Sequence, residues 1–491
     1  MNATDTAVYG NSWFAAQADV GAERASLTHD ADVDVCVIGG GLAGLTVARE
    51  VARSGWSVAV LEAKRIGWNA SGRNCGFVAP GFAEDIRQIV ERLGLDHARE
   101  LWTLSEDGVE YVRATIRDAD MPGVDPVDGW LNVSKSDDAD AFVWLVTLLG
   151  QELGADIEGW PADRVRGVLD SPHYRHAIHF PKAFHINPLA YVLGLAATTE
   201  QAGVRIFENT PALQIDPAGV RKRIVTPQAR LRAGHVVLAG NTHLGGLMPE
   251  ISETLIPVSS FAAVSRPLGD RLSGVIRYTG AVTEARWTDY HYRIVDGDRL
   301  MWGGGLATWR DNPHAWTREF SQAIAATFPQ LGDIGFDYAW SGTIGAPLHN
   351  MPQLGEVSPG LWLASGFGGH GLNTTAMAGV LLARAIHDND DAWRLFSPFN
   401  LVWAGGVLGR SVMQGAYWAS RVKDSVEARL KPRRAELHRR FKERRAAERV
   451  KLDTRVEPAA VHPAEPEPIQ TQATADAMPV HAEEASAPRR E

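Results

Sequence analysis

The sequence predicts an α/β protein with three parts: a Rossmann-like dinucleotide-binding domain built from separated stretches, an α+β domain with a mixed or antiparallel sheet, and C-terminal helices. Three observations lead there. A glycine cluster, Gly39 to Gly44, joins a short apolar strand to a helical pattern near the start of the chain. A second cluster, Ser365 to Gly371, ends another apolar strand far downstream. Between them, from Ile256 to Gly305, short strands are broken by glycines. At 491 residues the chain is too long for one ordinary core, so two or three domains are expected.

The first strand runs from Asp32 to Ile38 and the helical pattern after it from Leu42 to Arg53. Ser54-Gly55 punctuates, and Trp56 to Leu61 reads as a second strand. This strand–helix–strand unit is what a buried parallel sheet requires. Helical patterns fill Ala83 to Arg117, and another helix begins at Asn187-Pro188 and runs to Gly203. Val204 to Phe207, His235 to Leu238 and Leu361 to Ala364 read as strands, and Leu372 to His387 as a helix. Residues 400–430 read as one or two amphipathic helices. Residues 431–451 are strongly basic, which suits a solvated helix end or contact with an anionic partner or membrane surface. The Pro-, Ala- and Glu-rich remainder reads as disordered.

Composition narrows the function. A hydrophobic fraction of 45% and a charged fraction of 22% are those of a globular protein. A net charge of −10 disfavours a nucleic-acid partner, which would need a basic face to neutralise phosphates. Cys36 and Cys75 are the only cysteines, which fits a reducing compartment. The start of the chain shows no basic, apolar leader, and no run of eighteen apolar residues occurs, so no spanning helix is expected. The expectation is a cytoplasmic protein, with peripheral membrane contact open through residues 400–430.

Gly39-Gly40-Gly41-Leu42-Ala43-Gly44 contains G-x-G-x-x-G directly after a strand and opening a helix. Gly39 allows the tight turn, Gly41 lets a pyrophosphate approach the backbone, and Gly44 lets helix and strand pack closely. The helix start at Leu42 and Ala43 then turns free N–H groups and a favourable dipole towards the phosphates. Glu62, followed by Ala63, ends the second strand where an acid binds a ribose diol. The loop Gly67-Trp68-Asn69-Ala70-Ser71-Gly72-Arg73-Asn74-Cys75-Gly76 is rich in small and polar residues that leave amides free for an extended ligand.

With this loop the sequence resembles the D-amino-acid oxidase superfamily of flavoproteins, and within it the γ-glutamylputrescine oxidase type. The family stretch Gly-Trp-Gly-Ala-Ser-Gly-Arg-Asn-Gly-Gly is departed from at Asn69 and Cys75. Ser12-Trp13, Asn187-Pro188-Leu189, Ser265-Arg266-Pro267-Leu268 and the Arg299-to-Gly305 strand are further points of resemblance, which covers most of residues 9–425. It implies FAD as cofactor, with Ala70, Ser71, Gly72, Arg73 and Asn74 against it. It also implies that Gly366, Gly368, Gly369, His370 and Gly371 pass the ribityl chain and the pyrimidine side of the ring. A helix N-terminus there suits the negative charge of a reduced flavin. Some relatives attach flavin through a cysteine in the C-terminal half. None follows Cys75 here, so noncovalent FAD is expected. The resulting FAD-binding domain is discontinuous, over residues 30–90, 170–255 and 342–390. Residues 91–169 form a helical and substrate-domain part, 256–341 the substrate-domain sheet, 391–430 a helical extension and 431–491 the tail.

The resemblance implies oxidation of an amine C–N bond. Amino-acid oxidases of the superfamily clamp a substrate carboxylate with an arginine, and Ile344 falls near that place in Trp340-Ser341-Gly342-Thr343-Ile344-Gly345. An apolar residue there favours an amine whose acidic end is held elsewhere, a γ-glutamylputrescine-like substrate. A D-amino-acid or glycine dehydrogenase passing electrons to an acceptor other than oxygen is the alternative, and a flavin-binding subunit without turnover a third reading. His370, Arg73, His291, Tyr292 and Trp302 are the candidates for the flavin face, the two aromatics as partners for an alkylammonium. Sarcosine-oxidase relatives use a lysine over the flavin for oxygen. No lysine occurs between Lys222 and Lys423, so oxygen or another electron acceptor is left open.

Overall fold

The computed structural model describes residues 8–285, 290–309 and 312–420. Two sheets organise them. The first is built on Ala31–Ile38, flanked by Val58–Leu61 on one side and Arg230–Leu238 on the other, all parallel. Arg205–Phe207 extends it beyond Val58–Leu61 and Leu361–Ser365 beyond Arg230–Leu238, again parallel. Antiparallel Gln353–Ser358 closes one edge, and the Gln214–Asp216 and Lys222–Val225 hairpin pairs with Arg230–Leu238. Val35, Val37, Val58 and Val60 are buried without interruption, as expected of strands covered on both faces.

Helix Leu42–Arg53 follows the first strand, and helix Gly371–Asp388 lies against it. A Cβ on Gly379 would stand 2.5 Å from Thr46 Cβ, so only glycine lets the two backbones approach this closely. The expected helical stretch from Ala83 is two helices, Ile86–Leu93 and Leu95–Ala119, broken at Gly94 with φ +83°. Helix Pro188–Gln201 starts at Asn187, whose side chain accepts hydrogen bonds from the Leu189 and Ala190 N–H groups.

The second sheet runs Phe336–Ala346, Ile256–Ser265, Arg299–Ala307, His291–Val295, Ala281–Glu284, Val127–Ser134, His176–His185, Phe77–Val78, with Glu158–Trp160 on the His176–His185 strand. It is antiparallel except where Ala281–Glu284 meets Val127–Ser134, so it is mixed. Phe77–Val78 and His176–His185 come from stretches expected in the dinucleotide-binding part, yet they pair here. Residues 406–420 are helical. The rest of the expected extension, residues 421–430, and the basic and disordered tail, 431–491, lie outside the described residues.

Candidate active site

A cleft of about 1800 Å³ is lined by both glycine clusters, the 67–75 loop and one face of the second sheet. At one wall, Gly39 turns with φ +111°, and a Cβ on Gly44 would lie 2.1 Å from the Gly39 carbonyl oxygen. Gly41 gives helix Leu42–Arg53 no cap side chain of its own; the Leu42 N–H donates to Ser71 Oγ at 3.2 Å, and the helix start lines the cleft. Glu62 is buried beside it, one carboxylate oxygen accepting from the Gly40 N–H and the other from the Lys64 N–H, each at 2.8 Å. Burial raises its pKa above the ordinary carboxylate value, against the pull of these donors.

The loop beyond is short helix Ala70–Arg73, held against strand Phe336–Ala346. Asn69 makes a two-way bond with the Thr343 backbone, accepting at 3.1 Å and donating at 3.2 Å, and its amide nitrogen lies 2.8 Å from His243 Nε2. Arg73 donates to the Val8 carbonyl at 2.8 Å and the Ser341 carbonyl at 3.3 Å. Trp340 Nε1 donates back to the Arg73 carbonyl at 2.8 Å. The guanidinium therefore ties the loop to its neighbours, and burial lowers its pKa.

Cys75 follows, half-buried, with Sγ 3.1 Å from His291 Nε2. Gly303 on the adjoining strand makes the space, since a Cβ there would lie 2.3 Å from His291 Nε2 and 2.9 Å from Cys75 Sγ. Burial pushes the thiol up to about 12 and the imidazole down to about 4, so both are neutral near pH 7. Across the cleft, His370 ends the second glycine cluster and precedes helix Gly371–Asp388. Its Nε2 lies 2.9 Å from the Ala79 carbonyl and 3.1 Å from the Pro80 carbonyl. Two acceptors require that nitrogen to carry the proton, and burial lowers the pKa. Trp130, stacked on Phe180 at 4.6 Å, stands with its ring centroid 6.5 Å from that of His370.

Gly39, Gly41, Leu42, Ala43, Glu62, Ala63, Ala70, Ser71, Arg73, Asn74, Gly368, Gly369, His370, Gly371 and His291 all line the cleft. The others are corrected. Tyr292 and Trp302 are fully buried, stacked at 4.6 Å and 7° in the core beneath the second sheet. Strand alternation is the reason, because His291 faces the cleft and its neighbour must face away. Tyr292 donates to the Tyr174 hydroxyl at 3.1 Å. Gly44, Gly72 and Gly366 do not line the cleft. Gly44 and Gly72 pack against the Gly39 and Gly67 carbonyls, and Gly366 turns with φ +68° beside Gln353. Trp130, Asn132 and Lys135 also line the cleft, and nothing local in the sequence marks one face of an ordinary strand.

The arrangement fits an FAD. A helix start whose N-cap is glycine, a buried acid at the end of the second strand, and Gly39, Gly40 and Gly44, where a Cβ would clash, form an elongated cradle. Fold and site together define a two-sheet flavoprotein oxidoreductase. The FAD dependent oxidoreductase (DAO) family model matches residues 34–385, and the chain belongs to that family. It is 31% identical over 426 residues to gamma-glutamylputrescine oxidoreductase of Escherichia coli, covering 84% of this chain and 98% of that protein. It is 29% identical over 407 residues to a probable oxidoreductase, OrdL, of Haemophilus influenzae, covering 78% and 90%. Among solved structures, L-proline dehydrogenase from P. horikoshii superposes with a TM-score of 0.63 at 17% identity, covering 78% of this chain and 100% of that one. Glycine oxidase from Bacillus cereus gives 0.61 at 20%, covering 74% and 98%, and both show the shared fold. The protein is an FAD-dependent oxidoreductase acting on C–N bonds of amines or amino acids, with FAD held noncovalently. No described helix is long and apolar enough to cross a membrane.

Proposed function

We propose that this chain oxidises the terminal amine of a γ-glutamylputrescine-like substrate to an imine. The observation that carries the reading is the engagement of the cleft's arginines. Ile344 lines the cleft, and the arginines lining it among the described residues are Arg73 and Arg87. Arg73 ties two of its donors to backbone carbonyls, its buried Nε finding no partner among the described residues, and Arg87 is paired with Asp85. Both guanidiniums are thus held by other parts of the chain, and an amine with a remote acidic end needs no arginine clamp at the reacting carbon. The similarity to gamma-glutamylputrescine oxidoreductase points the same way.

FAD, when bound, accepts the hydride from the carbon that bears the amine. The protein's part is binding and placement. The Gly39–Ala43 turn and Glu62 would hold the adenosine diphosphate half, and the 70–74 loop and residues 368–371 the flavin half. Trp130, Phe180 and His370 form an aromatic wall that orients the alkyl chain and keeps water from it. Only the neutral amine is oxidised, and His291, held down to about 4 by burial, is too weak a base to take its proton, so the amine is deprotonated on entry to the cleft rather than by this imidazole. The chain's two cysteines fit a cytoplasmic location.

The test is the anaerobic visible spectrum before and after addition of γ-glutamylputrescine. Bleaching of the oxidised flavin band is the expected result. A yellow protein that γ-glutamylputrescine leaves unbleached, but that free amino acids reduce, would overturn the substrate reading.

A further inference from the structure

The last described stretch of the chain turns its apolar side outward. Trp403, Val407, Leu408, Val412 and Trp418 are each 61–74% exposed. Residues 406–420 are helical, and at about 100° per residue Val407, Leu408, Ser411, Val412, Gly415 and Trp418 share one exposed face. None of these six is charged. The opposite side of the helix is polar and holds it in place. Gln414 Oε1 accepts from the Thr308 N–H at 2.8 Å, and the Thr308 hydroxyl donates to the Arg410 carbonyl at 3.0 Å. Gln414 and Tyr417 are buried there. A Cβ on Gly406 would lie 4.0 Å from Trp403 Cζ2, so this tryptophan adjoins the start of the helix. A surface helix ordinarily buries its apolar face and gives water the polar one, and here that order is reversed.

The sequence then changes character. Residues 421–451 hold thirteen Lys and Arg against five Asp and Glu, in a chain whose net charge is −10. We infer that the 401–420 face docks on an anionic lipid bilayer, its apolar side chains entering the interface and the basic stretch after it attracted to the headgroups. Either element alone gives weak, reversible attachment, and the two together give a stable one. Trp403 and Trp418, at the two ends of the face, suit the boundary between headgroup and acyl chain, where an indole keeps its N–H in water and its rings in lipid. A second copy of this chain fits the face less well. Docked by the same surface, it would bring its own thirteen cations towards the first thirteen, whereas anionic headgroups neutralise them. The helix also lines the cleft through Gly409, Met413 and Ala416, so docking seats the bilayer beside the cleft. This attachment is independent of which amine the cleft takes.

The experiment is co-sedimentation of the full-length holoenzyme with vesicles of mixed phosphatidylglycerol and phosphatidylcholine, and with vesicles of phosphatidylcholine alone. Binding to the mixed vesicles should be about tenfold tighter or more, and should weaken several-fold as salt rises from about 0.1 M to about 0.5 M. Leu408→Gln with Trp418→Gln removes apolar surface without changing charge, and should weaken binding to the mixed vesicles by about tenfold to a hundredfold. Both side chains are exposed, so the melting temperature and flavin content of this variant should match the parent. Arg439→Gln with Arg440→Gln, Arg444→Gln and Arg445→Gln is the second variant, and it should weaken binding by about tenfold or more through charge alone. No binding to mixed vesicles, or equal binding to neutral ones, would overturn the proposal. So would binding that the Leu408→Gln, Trp418→Gln variant leaves unchanged, since the basic stretch would then act without the apolar face. Self-association that this variant abolishes, in a protein that no vesicle sediments, would assign the face to a second copy instead.

Discussion

The imidazole of His291 and the thiol of Cys75 meet at 3.1 Å on the wall of the cleft, each neutral because burial disfavours its charged form. A second buried imidazole, His185, lies close by. It is held down to about 3, mainly by burial and then by the Arg293 guanidinium, and its Nε2 donates to the Thr279 carbonyl at 3.0 Å.

These two histidines, the most strongly shifted of several, contribute to the acid sensitivity of the protein. Their folded pKa values lie below the ordinary value of about 6.5, so the unfolded chain binds more protons in between. Stability is fully present above pH 6.5, falls as pH drops towards 4, and stops falling on their account below about 3. From about 6.5 down to about 4 for His291 and about 3 for His185, the loss at the acid end is on the order of 3 to 5 kcal/mol per histidine. Thermal melting of the holoenzyme between pH 7 and pH 4 should show the decline, and His291→Gln should flatten part of it. A parallel decline in parent and variant would exclude His291 as a contributor.

Two glycines near the cofactor cradle should respond differently to the same added methyl. Gly44→Ala places a Cβ 2.1 Å from a backbone oxygen that cannot move without opening the turn, whereas Gly371→Ala meets nothing within 4 Å. We expect Gly44→Ala to cost about 3 kcal/mol or more and to release FAD. Gly371→Ala adds no contact within the protein and should change the stability of the FAD-free protein by less than about 0.5 kcal/mol. Melting curves with flavin fluorescence report both quantities. If both variants behave alike, steric closure of the first turn is not what the glycine provides.

What the sequence made legible follows from which interactions are local. The Leu42–Arg53 helix and the turn before it could be read because each glycine has a duty set by neighbours in the same strand–turn–helix unit. His370 was found for the same reason, as the last residue before a helix. Tyr292 and Trp302 were misread because the face of a strand depends on register with distant strands. Their neighbours, His291 and Gly303, pair directly across the ladder and face the cleft side. The Lys135–Glu284 pair was invisible because it joins positions that only the parallel pairing of two strands brings together.

The placement of Tyr292 and Trp302 makes a prediction of its own. Trp302→Ala empties a fully buried site against a stacked ring and should cost about 3–5 kcal/mol. Tyr292→Phe removes one hydrogen bond to Tyr174 and should cost about 1 kcal/mol. At a temperature where Tyr292→Phe remains folded, its kcat and KM for the amine should stay within about twofold of the parent. A selective rise in KM without loss of stability would instead put that hydroxyl in contact with substrate.

Reoxidation of the reduced enzyme by oxygen should be slow near pH 8 and should quicken as the solution is acidified. Electron transfer to oxygen builds negative charge, which a nearby cation stabilises. The cleft supplies little of it. Lys135 is neutralised by Glu284, Arg73 donates to two carbonyls, and burial keeps His291 and His370 neutral. Lowering the pH below the ordinary histidine value of about 6.5 begins to protonate His370, whose depressed pKa puts its midpoint lower still. Rapid mixing of photoreduced holoenzyme with air-saturated buffer should therefore give a rate that rises from pH 8 to pH 5.5, and His370→Gln should remove that rise. A small quinone, which carries its own driving force for two electrons and two protons, should reoxidise the flavin faster than air at pH 8. A fast, pH-independent reaction with oxygen would show that some other group supplies the charge and that the enzyme works as an oxidase.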